Sequence, residues 1–438
     1  MMERISIVGA RVIDPASGLD TCTDVHVADG RIAAVGSVPD GFRADRQVDG
    51  RGQWLIPGLI DVCARLREPG FEYRATLDTE LRAALASGVS SVVCPPDTDP
   101  PLDEPGLIEM LRHRQRQLAG THLYPQGALT VGLEGKVITE MAQLAEAGCV
   151  GFGQPTRLPK NTQTLLRALQ YASTFAFTVW LHPQDAWLGE DGVAHSGVVS
   201  SKLGLSSVPV STETVALHTI FELVRQTGCS VHLCRLSSAA GVELVRQARA
   251  EGLPITCDVA VHHLHLIDVD IGYFDSRMRV DPPFRSARDR TALRRGLTDG
   301  TIDLVCSDHT PVDDESKQQP FAQAEPGASG LELLLPLVVK WATEDEVPMA
   351  RALACVTSRA AAIIGCEGGS LAVGEVADLT LFDPQQTWTV SAQTLRSQCA
   401  HTPFSGIELL GRGRVVVIGG RWVDDAPPGV ADSVRPLR

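Results

Sequence analysis

Apolar residues along this chain recur with two periods. Short β-branched runs at 5–8, 25–27 and 31–35, parted by Asp-Gly and Pro turns, predict the opening strands of a small β-sandwich. Runs of the same kind return near the other end, at 377–382 and 414–422. Between the two groups lie eight strand-like runs, at 59–63, 89–94, 123–130, 150–153, 177–182, 230–233, 255–261 and 302–306. Segments 76–87, 137–147, 212–227 and 239–251 carry helical periodicity among them. Strand alternating with helix is the repeating unit of an α/β barrel. The pattern therefore predicts an α/β chain, a (β/α)8 TIM barrel with a small β-sandwich built from both chain termini. The expected divisions are 1–55 for the N-terminal part of the sandwich, 56–366 for the barrel and 367–438 for the C-terminal part. A doubly wound open sheet is the competitor, but no Gly-x-Gly-x-x-Gly turn follows the first barrel strand.

Composition narrows the class without naming a function. With 438 residues, 44% of them hydrophobic, the chain can fill a large core. A net charge of −14 argues against nucleic acid or an anionic membrane as the main partner, because phosphate binding needs clustered Lys and Arg. No apolar run is long enough to cross a bilayer, and the Met1-Met2-Glu3-Arg4 start lacks a signal peptide's apolar segment. A cytoplasmic location is the expectation. Eleven cysteines without Cys-x-x-Cys spacing fit buried free thiols better than a disulfide framework or a zinc knuckle.

The chemistry gathers around Ile56-Pro57-Gly58-Leu59-Ile60-Asp61-Val62-Cys63-Ala64-Arg65-Leu66-Arg67-Glu68-Pro69-Gly70. An apolar run bracketed by Pro-Gly pairs reads as a buried strand delivering polar side chains to one place. Alternation puts positions 63 and 65 on one face. The stretch resembles the first barrel strand of the dihydroorotase branch of the cyclic amidohydrolases, whose frame is Pro-Gly, two apolar residues, then Asp-x-His-x-His-Leu-Arg-Glu-Pro-Gly. Here the two histidines are Cys63 and Arg65. A guanidinium has no lone pair to donate and places positive charge where a cation would sit.

Further positions follow from the same resemblance. The anion that bridges two metals after strand four is matched by neutral Gln154, while the ligand positions of strands five and six fall on His182 and His232. Strand eight ends Ser307-Asp308-His309-Thr310-Pro311-Val312, close to the family's Asp-His-Ala-Pro-His. This places Asp308 as metal ligand and general acid/base, a role expected to be idle. On the substrate side Arg67 is retained, whereas Asp97 and Asp281 replace family asparagines and Val312 replaces a histidine. A carboxylate facing a carboxylate substrate at about 4 Å costs roughly 4 kcal/mol at an effective dielectric of about 20. Arg65 is expected to pair with Asp97 or Asp281 in place of metal charge. His262-His263-Leu264-His265 also has a family counterpart and reads as local architecture. Loop 312–329 occupies the family's lid position, and is expected to be either a contact surface or disordered.

The resemblance implies a degenerate dihydroorotase homologue with no cofactor, inactive in catalysis. It also implies a partner, the catalytic chain of aspartate carbamoyltransferase, with which non-catalytic dihydroorotase-like subunits assemble in bacterial pyrimidine synthesis. A homo- or hetero-oligomer is expected on that reading. The alternative is an enzyme, a cyclic amidohydrolase of dihydroorotase, hydantoinase or allantoinase type, with one zinc on His182, His232, Asp308 and Cys63.

Overall fold

A computed structural model describes residues 3–118 and 120–423. Met1-Met2 and residues 424–438 of the expected C-terminal division lie outside the described residues. Both ends of the chain meet in one eight-stranded sheet. Trp54–Pro57 is the seam: it runs parallel to Ile5–Asp14 on one side and antiparallel to Leu379–Thr389 on the other, with Leu55 opposite Leu381. Ile5, Ile7, Val25, Val27, Leu379 and Val417 are buried in its core, so the alternation seen at both termini belongs to one hydrophobic face.

The eight barrel strands are all present. Leu59–Asp61, Val89–Cys94 and His122–Pro125 pair in parallel. Gly127–Ala128 continues the third strand, and Phe152–Gln154, Val179–Leu181, Val231–Leu233, Ile255–Ala260 and Leu304–Cys306 are the remaining five in sequence order. Gln126, whose N–H donates to the Cys94 carbonyl, joins the two groups. An Ala64–His309 bridge closes the ring between the first and eighth strands. This closure brings Arg65 beside Asp308, residues 243 positions apart in sequence.

Helices pack outside each crossover for readable reasons. Leu77–Ala86 starts at Thr76, whose hydroxyl accepts from the Thr79 N–H, and it buries Leu77, Leu81, Ala84 and Leu85 at helical spacing. Ala239–Ala250 starts at Ser238, capping the Gly241 N–H. A cap of this kind stabilises by about 1 kcal/mol. Pro105–Gln117, Thr162–Thr174 and Ala287–Asp299 are helices that the apolar pattern did not single out.

Residues 312–329 are a folded strap, which rules out the disorder expected as one alternative for that loop. Asp314–Lys317 forms a helical turn capped by the Asp313 side chain. Lys317 Nζ, almost wholly buried, donates to the carbonyls of Arg279, Glu325 and Gly327 at 2.9, 2.9 and 2.7 Å. The Arg74 guanidinium holds Glu325 through two bonds of 2.5 Å.

Candidate site at the barrel mouth

The C-terminal ends of the strands surround a cleft of about 180 Å³, lined by Arg65, Arg67, Asp97, Arg235, Asp281 and Asp308. The strap covers one side with Glu325, Pro326 and Gly327. Three site residues hold a left-handed backbone, Arg67 at φ 63°, Arg235 at 58° and Asp308 at 47°. Non-glycine residues adopt this conformation at a cost of about 1–3 kcal/mol, and it commonly marks a functional site.

Arg65 binds the ring together. Its Nε donates to Asp97 Oδ2 at 2.7 Å, and its Nη1 donates to Asp308 Oδ1 at 3.1 Å and Thr310 Oγ1 at 3.0 Å. Burial opposes the charge on this guanidinium, but the facing acids, Asp97 foremost, outweigh it and hold the pKa above the ordinary value. Asp97 responds in kind: burial would raise its pKa, and Arg65 instead brings it below the usual carboxylate range. Of the two partners expected for Arg65, Asp97 is the one it takes. Asp281 instead gives its backbone carbonyl to Arg235 Nη1 at 3.0 Å.

Arg235 is the residue the sequence did not reveal. Its Nη1 reaches Asp308 Oδ1 at 3.3 Å and its Nη2 donates to the Pro155 carbonyl, while Nε is buried without a partner. Asp308 thus lies between two cations. His232, expected as the strand-six ligand, makes its contacts elsewhere: Nδ1 meets Thr256 Oγ1 at 2.7 Å and Nε2 meets Asp258 Oδ2 at 2.9 Å, with the ring against Trp180. The group that strand six sends to the mouth is Arg235, three residues on.

The other expected positions divide. His182 Nδ1 lies 3.1 Å from the Cys234 carbonyl and Nε2 lies 3.0 Å from Gln184 Oε1, two acceptors facing a ring that carries one N–H when neutral. Burial, helped by the charge of Arg235, pushes its pKa down to about 4, so the ring is neutral. Cys63 Sγ lies 3.8 Å from Asp308 Oδ1, the length of a weak thiol contact. Gln154 is turned away from the cleft: Oε1 accepts from Thr130 Oγ1 at 3.1 Å and Nε2 donates to the Leu133 carbonyl at 2.9 Å. Val312 packs on Gly327 within the strap instead of facing the cleft. His262, taken as local architecture, reaches the site after all, with Nε2 lying 3.9 Å from Asp308 Oδ2 and otherwise unpartnered.

Arg67 donates from Nε to the Pro311 carbonyl at 2.9 Å. Burial and the neighbouring Arg65 lower its pKa to about 10, so it remains a cation at neutral pH.

These residues do not fit the metal pair implied by the resemblance. Two guanidiniums hold the strand-eight carboxylate, the bridging position is an amide committed to its own loop, and the strand-six imidazole is bonded to Asp258. The four positions offered for a single zinc are not drawn together either. The His, Cys and carboxylate groups that do converge among the described residues, within 4.8 Å of one another, are His232, Cys234 and Asp258.

Comparison with known proteins gives a consistent picture. Residues 52–240 match the dihydro-orotase-like family model, and residues 190–424 match the amidohydrolase family model. A dihydroorotase-like protein of Pseudomonas putida is 44% identical over 416 residues, 95% of this chain and 98% of that one. A protein of the same description from Pseudomonas aeruginosa is 43% identical with the same coverage. A dihydroorotase of Geobacter sp. is 36% identical over 96% of this chain and 99% of its own length. The solved L-hydantoinase (dihydropyrimidinase) of Arthrobacter aurescens is 24% identical and superposes with a TM-score of 0.82, covering 97% of this chain and 98% of that one. That last likeness bears on fold alone.

Proposed function

This chain belongs to the dihydroorotase-like amidohydrolases, and from that premise we propose that it is a degenerate dihydroorotase homologue without cyclic amide hydrolysis. In this reading it is a cytoplasmic structural subunit that assembles with the aspartate carbamoyltransferase catalytic chain in de novo pyrimidine biosynthesis.

One observation carries the loss of catalysis. Asp308 Oδ1 accepts from Arg65 at 3.1 Å and from Arg235 at 3.3 Å. Hydrolysis of a cyclic amide asks this carboxylate to sit beside a Lewis acid and pass a proton to the leaving nitrogen. Two permanent cations take the place of that Lewis acid, and neither can activate water as a metal does. Support for a structural role is the retention of the whole barrel and its seam of terminal strands around a disarmed mouth. The partner itself rests on resemblance.

The test has two arms. The purified chain, supplied with zinc, is assayed with dihydroorotate and its ring-opened acid in both directions. No turnover above background is expected, and turnover abolished by His182→Ala would establish a mononuclear amidohydrolase instead. In the second arm the transcarbamoylase is isolated from cells with and without this chain. Loss of its larger assembly is expected on deletion, and an enzyme of unchanged size and activity would refute the scaffold role.

A further inference from the structure

Below the mouth, inside the barrel, lies a second cluster that the reading above leaves unused. His232 on Val231–Leu233, Cys234 just beyond it and Asp258 on Ile255–Ala260 bring a nitrogen, a sulfur and an oxygen within 4.8 Å of one another. His232 and Asp258 are fully buried, and Cys234 is a half-buried residue with a free thiol.

The carboxylate of Asp258 needs compensation. A fully buried carboxylate is stable only when paired with a cation or neutralised by a proton. Among the described residues no arginine or lysine forms an ion pair with Asp258, and its one ion-pair contact is His232 at 2.9 Å. Arg235 is close in sequence, but it offers Asp258 only its backbone N–H, at 2.8 Å, and spends its guanidinium on Asp308. Two kinds of solution remain: a proton held between His232 and Asp258, or a divalent ion shared by the imidazole and the carboxylate.

The surroundings favour the ion. The other nitrogen of His232 is held by Thr256 Oγ1 at 2.7 Å, the outer hydrogen bond that orients a ligating imidazole. Cys306 Sγ lies 3.3 Å from Asp258 Oδ1, a second thiol beside the set. Nitrogen, thiolate and carboxylate ligands at about 2.0–2.3 Å suit zinc or cobalt(II), not magnesium or calcium. We infer that His232, Cys234 and Asp258, with Cys306 beside them, form a structural binding site for a zinc-class ion inside the barrel, separate from the arginine-filled mouth. Binding expels the thiol proton of Cys234 to solvent, and no redox change occurs.

The full chain, expressed with zinc and dialysed, is analysed for metal and then reconstituted with cobalt(II). Expected are about one zinc per chain and a near-ultraviolet thiolate-to-cobalt band. The band is lost in Cys234→Ser and Asp258→Asn but kept in Cys63→Ser and His182→Ala, with folding of each variant checked by circular dichroism. Wild-type chain retaining less than about a tenth of an equivalent, with no cobalt band, would overturn the site and leave the His232–Asp258 hydrogen bond to compensate the carboxylate by itself. A band lost in Cys63→Ser or His182→Ala yet kept in Cys234→Ser would overturn it too. That outcome would also sink the disarmed mouth, whereas absence of metal would leave the mouth as proposed.

Discussion

Arg65 Nε donates to Asp97 Oδ2 at 2.7 Å, across the ends of the first two barrel strands, with the arginine side chain 8% exposed and the aspartate 19%. Each residue alone contradicts the family pattern, and together they balance. Breaking one side of a buried pair costs about 3–5 kcal/mol because the other charge is left uncompensated, whereas replacing both with apolar groups is often close to neutral. Arg65→Met is therefore expected to destabilise by that amount in urea unfolding. Arg65→Met with Asp97→Leu should recover more than half of the loss. A double variant no better than the single would show that Asp308, not Asp97, is the partner that matters.

Restoring metal at the mouth requires a residue that alignment of the strand-one motif does not suggest. Cys63→His, Arg65→His and Gln154→Asp rebuild the obvious ligands but leave Arg235 3.3 Å from Asp308. That triple variant is expected to take up no metal beyond the wild-type content. Adding Arg235→His should allow uptake, read by elemental analysis. Uptake by the triple variant would show that Arg235 moves aside at little cost.

What the sequence disclosed and what it hid divide along one physical line. Period-two alternation revealed all eight barrel strands and the two halves of the terminal sheet, and the new charges at 65, 97 and 281 pointed to an ion pair of Arg65 with one of the two aspartates. Arg235 escaped because it lies beyond the end of the strand with a left-handed backbone at φ 58°, so alternation from His232 does not place its side chain, which enters the mouth. His262 escaped for a related reason, since it lies on a 3-10 turn instead of the strand itself. Ala287–Asp299 gave no clear helical signal because arginines crowd its outer face and Leu293, Gly296 and Leu297 alone mark the buried stripe near its end.

The strap should depend on its lysine. Lys317 Nζ supplies one N–H to each of three carbonyls, and a side chain without donors would leave all three buried and unpaired. Each such group costs about 1–3 kcal/mol. Lys317→Met is expected to raise hydrogen exchange and proteolytic cutting within 313–327 by more than about tenfold, with the barrel core unchanged. Equal protection in variant and wild type would mean that Arg74 and Glu325 hold the strap by themselves.

Stability on the acid side should be limited by histidines that the fold keeps neutral. Burial, then the charge of Arg235, brings His182 to about 4 and His262 to about 3, and burial with Arg294 brings His265 to about 4. An unfolded histidine titrates near about 6.5, so the unfolded chain takes up these protons first. Stability present above that pH is lost as pH falls toward 4. Glu332 works in the opposite direction, because burial raises it to about 7 and its contribution is lost as pH rises through that value. Asp61, raised by burial to about 6, opposes the slope as Glu332 does, whereas His195 and His263, also lowered by burial, add to it; the imidazoles outnumber these two carboxyls, so stability rises between about pH 4 and 6.5. His182→Gln removes one titrating group while its amide can still donate to the Cys234 carbonyl. It should flatten the slope by up to one proton, about 1.4 kcal/mol per pH unit, in urea unfolding across that range. An unchanged slope would mean that His182 is already protonated in the folded chain, in which case its charge would join those of Arg65 and Arg235 around Asp308.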